Sequence, residues 1–334
     1  MLHITNGDSA GALIEQSGLA GAVLPWRDVL HDGPVPAGLS LDELRSVRAR
    51  FLADSGWGSF ARVHENFTQR DSALAESDDH DETVLWFEHD LYDQLQLIQL
   101  LDWFAPNGQG ATKLSMVCIG SFPGIERFTG LGKLTPTQIV SLFSQRRPIT
   151  TKQFDHGSRA WEAFRSPDPT AIQPLIGPGT GDLPFLAPAL FRHLEQFPAA
   201  NDGVARTERQ ILHAVAEGAT SPIEVFKADQ AQEDAPFMGD WQVWAYIGRL
   251  SSGQAPLVRR VDGAPFTPFR EHEEPGRFHE QRLALTAAGT AVLNGEADFV
   301  VLNGIDRWLG GVHLHGAEAA WRWDREAARL VSRS

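Results

Sequence analysis

The first half of the chain alternates short apolar runs with amphipathic stretches. Four apolar runs have the length of strands: 2–5, 22–24, 83–87 and 113–119. Between them, apolar residues recur at helical spacing, as at Leu91, Leu95 and Ile98 after the third run. Strands that alternate with helices in this way predict an α/β fold, with a Rossmann-like, mostly parallel sheet covered by helices on both faces.

The second half has a different pattern. Residues 166–188 are rich in proline and glycine, a composition that resists regular structure. We predict a linker there, between an α/β domain over 1–165 and a second domain over 189–334. Three short helical stretches and a strand-turn-helix pattern at 283–293 follow the linker, which predicts a helical, winged-helix-like C-terminal domain.

Composition narrows the class of protein. A chain of 334 residues with 42% hydrophobic residues favours two globular domains, and the single cysteine, Cys118, excludes a disulfide framework. No apolar segment approaches membrane-spanning length, so we expect a cytoplasmic protein with no membrane partner. The formal net charge of -14 repels phosphate backbones, which makes nucleic acid an unlikely partner. Homo-oligomerisation stays open.

A polar turn, Asn6-Gly7-Asp8-Ser9, follows the first predicted strand. It aims the N-terminal N–H groups of the next helix at whatever lies above the sheet, which suits an anion. Asp and Ser are also preferred at helix N-caps, so an ordinary cap is an equally good interpretation.

A second polar block, Trp26 to Pro34, follows the second strand and contains Arg27, Asp28, His31 and Asp32. So many different functional groups in one loop suggest a site, although a plain polar turn is the alternative.

Glu88, His89 and Asp90 end the third strand, and Asp93 follows in the first turn of the next helix. Helix capping explains Asp90 and Asp93 but leaves Glu88 and His89 unexplained.

The loop from Gly120 to Gly124, which includes Ser121, follows the fourth strand and either admits a ligand close to the backbone or is a bare connection.

Ligands bind at the carboxyl ends of strands in open α/β sheets, so we expect these blocks to converge. Clustered carboxylates need a cation or protons, and Mg²⁺ or Mn²⁺ prefers oxygen ligands. The predicted metal ligands are Asp8, Asp32, Glu88 and Asp90. The predicted catalytic residues are Asp8, Asp28, His31, Glu88 and His89. The predicted substrate-binding residues are Asn6, Gly7, Ser9, Trp26, Arg27, Gly120 and Ser121. Such a site predicts a metal-assisted hydrolase or phosphoryl-transfer enzyme acting on a phosphate-bearing or anionic small molecule.

Two other functions are open. Gly7-Asp8-Ser9 is similar to the nucleophile block of GDS-type serine esterases, and Asp28 and His31 have the spacing of their base pair, although their order along the chain is wrong for that family. Alternatively, the α/β domain is a non-catalytic, ligand-binding regulatory module that signals through the winged-helix-like domain. Whether the protein is an enzyme therefore stays open.

The segment 302–313 mixes Asn303, Asp306, Arg307 and His313 with glycines and large apolar residues. We consider a lid or docking strand over the α/β site, or a terminal hairpin in which Asp306 and Arg307 pair locally. His313 and His315 share a strand face, but the sequence shows no third ligand at metal spacing, so zinc is not expected.

Four of these blocks, in order along the chain, resemble the bacterial family named domain of unknown function 1835. They are the opening His3 to Ser9, Trp26 to Pro34, Leu85 to Leu95, and Leu302 to His313. The resemblance spans both predicted domains. It implies that the chemically chosen blocks are the recognisable blocks of that family, and it implies no particular activity.

Overall fold

The protein is described by a computed structural model that covers residues 1–107, 112–177, 182–269 and 278–332. It divides into two compact units. The first comprises Met1–Phe191 and Gly310–Val312, and the second comprises Arg192–Leu309 and His313–Ser334. The segment 166–188, predicted as a linker, belongs to the first unit and contains a 3-10 helix at Pro169–Leu175; its residues 178–181 lie outside the described residues.

The first unit is built on a five-stranded sheet. Its strands, with a short separate strand β3, are β1 (Leu2–Thr5), β2 (Ala22–Pro25), β3 (Gly33–Pro34), β4 (Glu82–Glu88), β5 (Lys113–Ile119) and β6 (Arg147–Pro148). The order is β2-β1-β4-β5-β6; the first four strands are parallel and β6 is antiparallel to β5. The predicted Rossmann-like, mostly parallel sheet is therefore confirmed.

Seven described helices begin within this unit: α1 (Asp8–Gln16), α2 (Leu41–Asp54), α3 (Phe60–Ala75), α4 (Leu91–Asn107), α5 (Pro136–Phe143), α6 (Thr151–Arg165) and α7 (Leu186–Leu194). Capping boxes begin three of them, at Ser40, Thr135 and Thr150. α4 packs against α6, where a Cβ built on Gly157 would lie 2.5 Å from the Cβ of Leu101. Glycine at this position therefore permits the close helix contact.

The core of the first unit follows from strands that are apolar on both faces. Val84 and Trp86 on β4 pack with Ile14 of α1 and Ile139 of α5 in one buried cluster. Leu85 and Phe87 alternate with them along the strand and are also fully buried. This burial fixes the register, so the carboxyl ends of β1 and β4 lie side by side: Thr5 is the register partner of Trp86.

The second unit contains helices, followed by short strands. Its elements are α8 (Arg206–Ala216), α9 (Pro222–Ala231), α10 (Asp240–Leu250), β7 (Val258–Arg260), β8 (Leu283–Leu285), α11 (Ala287–Leu293), α12 (Phe299–Asn303), β9 (Ile305–Gly310), β10 (Val312–Gly316), β11 (Trp321–Asp324) and β12 (Arg329–Ser332). β7 and β8 pair antiparallel. On α10, Trp244 and Tyr246 are buried, so these aromatic residues serve packing. Within the described ranges, no helix has both the length and the apolarity to cross a membrane.

Candidate carboxylate site

A candidate site lies where the sheet reverses its winding. The chain runs from β1 to β2 on one side and returns to β4 on the other side of β1. In open α/β sheets such a switch point leaves a crevice beyond the carboxyl ends of the two strands. Asn6 follows β1, and Glu88 ends β4. Polar side chains from both strands therefore meet at the position where this fold usually binds ligands.

Three carboxylates converge here, and we call Glu88, Asp90 and Asp93 the carboxylate cluster. One oxygen from each lies within 4.8 Å of the other two, and all three residues are buried. Oxygen ligands of a Mg²⁺ ion with bonds of about 2.1 Å are about 3 to 4 Å apart. The upper limit of 4.8 Å is compatible with three ligands on one hard cation.

Local backbone geometry explains why these carboxylates face each other. The backbone N–H of Asp93 donates to Asp90 Oδ1 at 3.0 Å, so Asp90 satisfies a first-turn donor of α4. The N–H of Glu88 donates to Asp93 Oδ1 at 2.7 Å, which turns Asp93 back toward the strand end. The predicted capping role of Asp90 is therefore confirmed, and the same side chain also belongs to the carboxylate cluster.

Neutral donors hold the cluster from the other side. The Asn6 amide donates to Asp93 Oδ2 at 2.8 Å and to Glu88 Oε1 at 3.2 Å. The N–H of Leu131 donates to Glu88 Oε1 at 2.6 Å. Gly130, with φ +138°, lets this backbone approach, because a Cβ there would lie 2.5 Å from Glu88 Oε2. Asn6 thus links the turn after β1 to both carboxylates.

Burial dominates the electrostatics of the cluster. It raises the pKa of Glu88, raises the pKa of Asp93 well above the usual aspartate value, and raises the pKa of Asp90 to about 8. Repulsion from Glu88 adds to the rise at Asp90, whereas the backbone N–H of Asp93 opposes it. Near neutral pH the cluster therefore retains protons unless a cation neutralises it.

Other buried carboxylates in the protein are compensated differently. Most form salt bridges with arginine, at 2.6 to 2.8 Å: Asp28–Arg48, Asp71–Arg70, Asp202–Arg209 and Glu233–Arg192. Asp229 is an exception; it accepts a hydrogen bond from Gln230, and burial raises its pKa to about 7. In the part of the chain that the structure describes, no basic side chain forms a salt bridge with Glu88, Asp90 or Asp93.

A shell of neutral groups surrounds the cluster. The Tyr92 hydroxyl donates to the backbone carbonyl of Asn6 at 2.9 Å. This bond holds the turn from which the Asn6 side-chain amide reaches the cluster. Gln94 donates to the Glu88 carbonyl at 2.5 Å. The Cys118 thiol lies 3.7 Å from the same oxygen, and burial raises its pKa to about 12, so it stays a thiol near neutral pH. These contacts hold the backbone of Asn6 and Glu88 without adding charge.

His89 lies beside the cluster in sequence, but its ring packs elsewhere. It contacts the rings of Phe128 and Phe185, and burial lowers its pKa. A Cβ on Gly120 would lie 3.1 Å from His89 Cβ, so this glycine makes room for the histidine. Ser121 is exposed. Gly120 therefore has a packing role beside His89, and its predicted contact with a substrate stays a prediction.

Asp8 is not part of the cluster, contrary to the predicted convergence. It is exposed in the first turn of α1 and forms a salt bridge with Arg27, itself 56% exposed. No side chain caps α1, whose N-cap is Gly7, and a Cβ at Gly7 would contact nothing within 4 Å. Ser9 is exposed at the same helix end. This end of α1 is consequently open, and only Asn6 of the turn reaches the carboxylates.

Asp28 also lies outside the cluster because it has an arginine partner. Arg48 Nη2 donates to Asp28 Oδ1 at 2.7 Å, and both side chains are 1% exposed. Arg48 Nη1 also donates to the Asp32 carbonyl at 2.7 Å, which ties down the loop. The carboxylate of Asp28 is thereby occupied in a structural salt bridge, an arrangement that does not match an esterase base pair.

Two further residues of this loop are buried in packing. His31 is fully buried, with its ring 5.9 Å from that of Tyr92. Trp26 donates its indole N–H to Gln99 at 2.8 Å, and the Arg70 guanidinium lies over its ring. The residues of this loop therefore do not converge as predicted, and Asp32, like Asp8 and Asp28, is not a member of the cluster. Of the predicted carboxylates, the structure brings together Glu88 and Asp90, with Asp93 as the third.

The candidate residues near the C-terminus lie in the second unit. Asn303 closes a loop by bonding both backbone groups of Ala255. Arg307 is buried and donates to Tyr246 Oη and to the Gln196 carbonyl. Asp306 bonds His313 at 2.7 Å, so the predicted local pair between Asp306 and Arg307 is wrong. The two residues alternate on β9 and face opposite sides of the strand.

Sequence reasoning missed Gly130 and Leu131, which supply the backbone contact to Glu88. The Gly130-Leu-Gly132 spacing was the available signal, because paired glycines often mark close backbone approach. Nothing in the local sequence connects that turn to a carboxylate 43 positions earlier.

No protein-family model matches the chain, and a search of curated proteins finds no significant relative. The resemblance to the family of unknown function therefore stays a prediction.

Proposed function

We propose that the first unit binds a divalent cation at the carboxylate cluster and acts on a phosphate-bearing small molecule, as a hydrolase or phosphoryl-transfer enzyme. The observation that carries this proposal is the convergence of three buried carboxylates, with one oxygen of each within 4.8 Å of the other two. Mg²⁺ or Mn²⁺ would neutralise these carboxylates through the oxygen donors that these ions prefer. Glu88, Asp90 and Asp93 are the proposed ligands, which replaces the set predicted from sequence.

The open end of α1 supports a phosphate as the substrate group. Its first-turn N–H groups lack a side-chain cap, and the turn that precedes them is joined to the cluster through Asn6. A helix N-terminus favours negative charge, and a bound cation would neutralise the same phosphate. Arg27 lies at this helix end in an exposed salt bridge with Asp8, which is weak enough to exchange for an anionic substrate.

The two histidines predicted to transfer protons, His31 and His89, pack against aromatic rings. The ring of His89 packs against Phe128 and Phe185, and His31 packs against Tyr92. Burial raises the pKa of Glu88, Asp90 and Asp93, so the metal-free cluster holds protons near neutral pH, and a bound cation would displace them. A protein that binds metal and phosphate without turnover would instead be a ligand-binding module.

The experiment has two arms. Thermal stability is measured with Mg²⁺, Mn²⁺ and Ca²⁺, alone and with nucleotides and sugar phosphates, in the wild type and in Glu88→Gln. Phosphate release is then assayed for every compound that raises the melting temperature further. We expect stabilisation by Mg²⁺ or Mn²⁺ that Glu88→Gln loses, followed by turnover. Stabilisation without turnover supports the binding module, and no stabilisation by any ion refutes the metal site.

We also propose that α8, α9, α10 and the β7–β8 pair form a winged-helix-like module. The order of three helices followed by an antiparallel ribbon supports this assignment. Burial of Trp244 and Tyr246 and the net charge of -14 favour a protein-facing role for the module over DNA binding. An electrophoretic shift assay with mixed DNA sequences at low salt tests this, and a salt-sensitive complex would contradict it.

A further inference from the structure

A second cluster of metal-ligating side chains lies on the β9–β10 hairpin. Asp306 projects from β9, and His313 and His315 project from β10. One ligand atom from each lies within 4.8 Å of the other two. The sequence around the two histidines contains no third ligand. The structure supplies one, Asp306, from the neighbouring strand β9.

The alternation of the two strands explains the cluster. Side chains two residues apart share a face of a strand, so Asp306 and Trp308 lie on one face, as do His313 and His315. Arg307 and Leu314 point the other way and are buried. The exposed face of the hairpin therefore carries the three ligands, and the buried face anchors it.

The distances are near those of a tetrahedral transition-metal site. His313 Nε2 lies 2.7 Å from Asp306 Oδ1, and His315 Nδ1 lies 3.7 Å from Asp306 Oδ2. Ligands of a tetrahedral Zn²⁺ with bonds of about 2.1 Å are about 3.4 Å apart. The contact between His313 and Asp306 is a hydrogen bond that would open by about 0.7 Å around an ion, and all three side chains are exposed enough to adjust.

Trp308 holds one of the ligands in place. Its ring stacks on His313 with centroids 4.5 Å apart and planes 3° from parallel. Stacking limits rotation of the imidazole and keeps Nε2 directed toward Asp306. Trp308 is accordingly a positioning residue for the site.

We propose that Asp306, His313 and His315 bind a zinc ion, with the remaining coordination position open to solvent. Two imidazoles and one carboxylate favour Zn²⁺, Co²⁺ or Ni²⁺ over the hard cations that suit the carboxylate cluster. Asp306 and His315 are each 71% exposed, so water or an exogenous ligand completes the coordination. This site is independent of the proposed function of the first unit.

The test is calorimetric titration of the full, tag-free chain with Zn²⁺, with Co²⁺ absorption as a second readout of coordination geometry. We expect one ion per chain at this site, with intense, tetrahedral-type Co²⁺ bands. His313→Ala, His315→Ala and Asp306→Asn should each abolish the bands, and Trp308→Leu should weaken affinity about tenfold. Because the ligands are exposed, these variants should fold, and circular dichroism checks that they do.

Two controls make the assignment specific. His64→Ala removes a histidine that bonds Ser46 on the surface of the first unit and should leave zinc binding unchanged. Glu88→Gln should leave zinc binding unchanged as well, so failure of this proposal is distinguishable from failure of the carboxylate site. If the double variant His313→Ala/His315→Ala binds zinc as the wild type does, or if the wild type gives no tetrahedral Co²⁺ bands, the proposal is wrong.

Discussion

Asp90→Asn provides a sensitive test of how the carboxylate cluster is stabilised. In the folded protein the pKa of Asp90 is raised to about 8, mainly by burial and then by the charge of Glu88. An unfolded aspartate has a pKa of about 3.9, so the folded protein binds the extra proton between about pH 4 and 8. In that window the stability of the metal-free protein falls as pH rises.

The magnitude follows from the pKa. pH 7 lies about three units above the pKa of an unfolded aspartate, and one pKa unit corresponds to about 1.4 kcal/mol. Burial of Asp90 therefore lowers the free energy of unfolding of the metal-free protein by about 4 kcal/mol at pH 7. Asparagine carries no charge, and its carbonyl oxygen can still accept from the Asp93 N–H, so the cap is kept. We therefore expect chelator-treated Asp90→Asn to be more stable than the wild type at pH 7, by up to about 4 kcal/mol.

Asp28→Asn is the matched control, because we expect it to lower the free energy of unfolding whereas Asp90→Asn raises it. Asp28 and Arg48 are both 1% exposed and form a salt bridge at 2.7 Å. Removing one partner of a buried pair costs about 3 to 5 kcal/mol, because the other charge stays buried. Arg48 keeps its bonds to the Asp32 and Val29 carbonyls, which places the loss at the lower end of that range.

The assay is urea unfolding of both variants and the wild type in chelator at pH 5, 7 and 8.5. The stability advantage of Asp90→Asn should grow with pH, while the loss in Asp28→Asn should be present throughout. An Asp90→Asn variant that is less stable than the wild type at pH 7, or whose advantage does not change with pH, would refute the desolvation argument.

Three further substitutions test the contacts around the site and the helix packing. Gly130→Ala places a Cβ 2.5 Å from Glu88 Oε2 at a backbone φ of +138°. Urea unfolding should show that the free energy of unfolding falls by at least about 1 kcal/mol, and titration should show that Mn²⁺ binding is lost. Wild-type stability and binding would contradict the close approach. Asn6→Ala removes the amide that donates to both Glu88 and Asp93, and it should lower the stability of the metal-free protein by about 1 to 3 kcal/mol. An unchanged unfolding midpoint would contradict these two hydrogen bonds. Gly157→Ala overpacks α4 against α6 and should cost about 1 to 3 kcal/mol in urea without changing Mn²⁺ affinity; a neutral result would mean that the helices separate easily.

Apolar periodicity predicted most of the sheet and helices of the first unit. The strands at 2–5 and 83–87 are buried on both faces and the strand at 113–119 is largely so, which explains their nearly continuous apolar runs. The short antiparallel β6 was missed because Arg147 and Pro148 carry no strand pattern. Its position depends on pairing with β5, which is a tertiary contact.

The site was predicted in part for a similar reason. Glu88 and Asp90 stand at a strand end, a position that the sequence reveals. Asp28 looked equally suitable, but its partner is Arg48 on α2, and only the folded chain shows that this arginine neutralises it. Asp93 was explained by capping alone, whereas its carboxylate also bonds the Glu88 N–H and joins the cluster.

The cluster on β9 and β10 shows the same limit. His313 and His315 are visible as a pair two residues apart, which places them on one strand face. The third residue, Asp306, lies on the neighbouring strand, and its proximity depends on the pairing of the hairpin. Pairing between strands is set by the turn and by burial, so the local pattern around the histidines could not identify it.

The most direct test of the proposed function is the binding of Mn²⁺ to the chelator-treated protein, followed by electron paramagnetic resonance and calorimetry. The wild type should bind one Mn²⁺ per chain at the carboxylate cluster. Glu88→Gln and Asp93→Asn should lose it, and Asp8→Asn should keep it, because Asp8 is exposed and paired with Arg27. Mn²⁺ binding that survives in Glu88→Gln and Asp93→Asn, or that only Asp8→Asn abolishes, would contradict the assignment of the metal site.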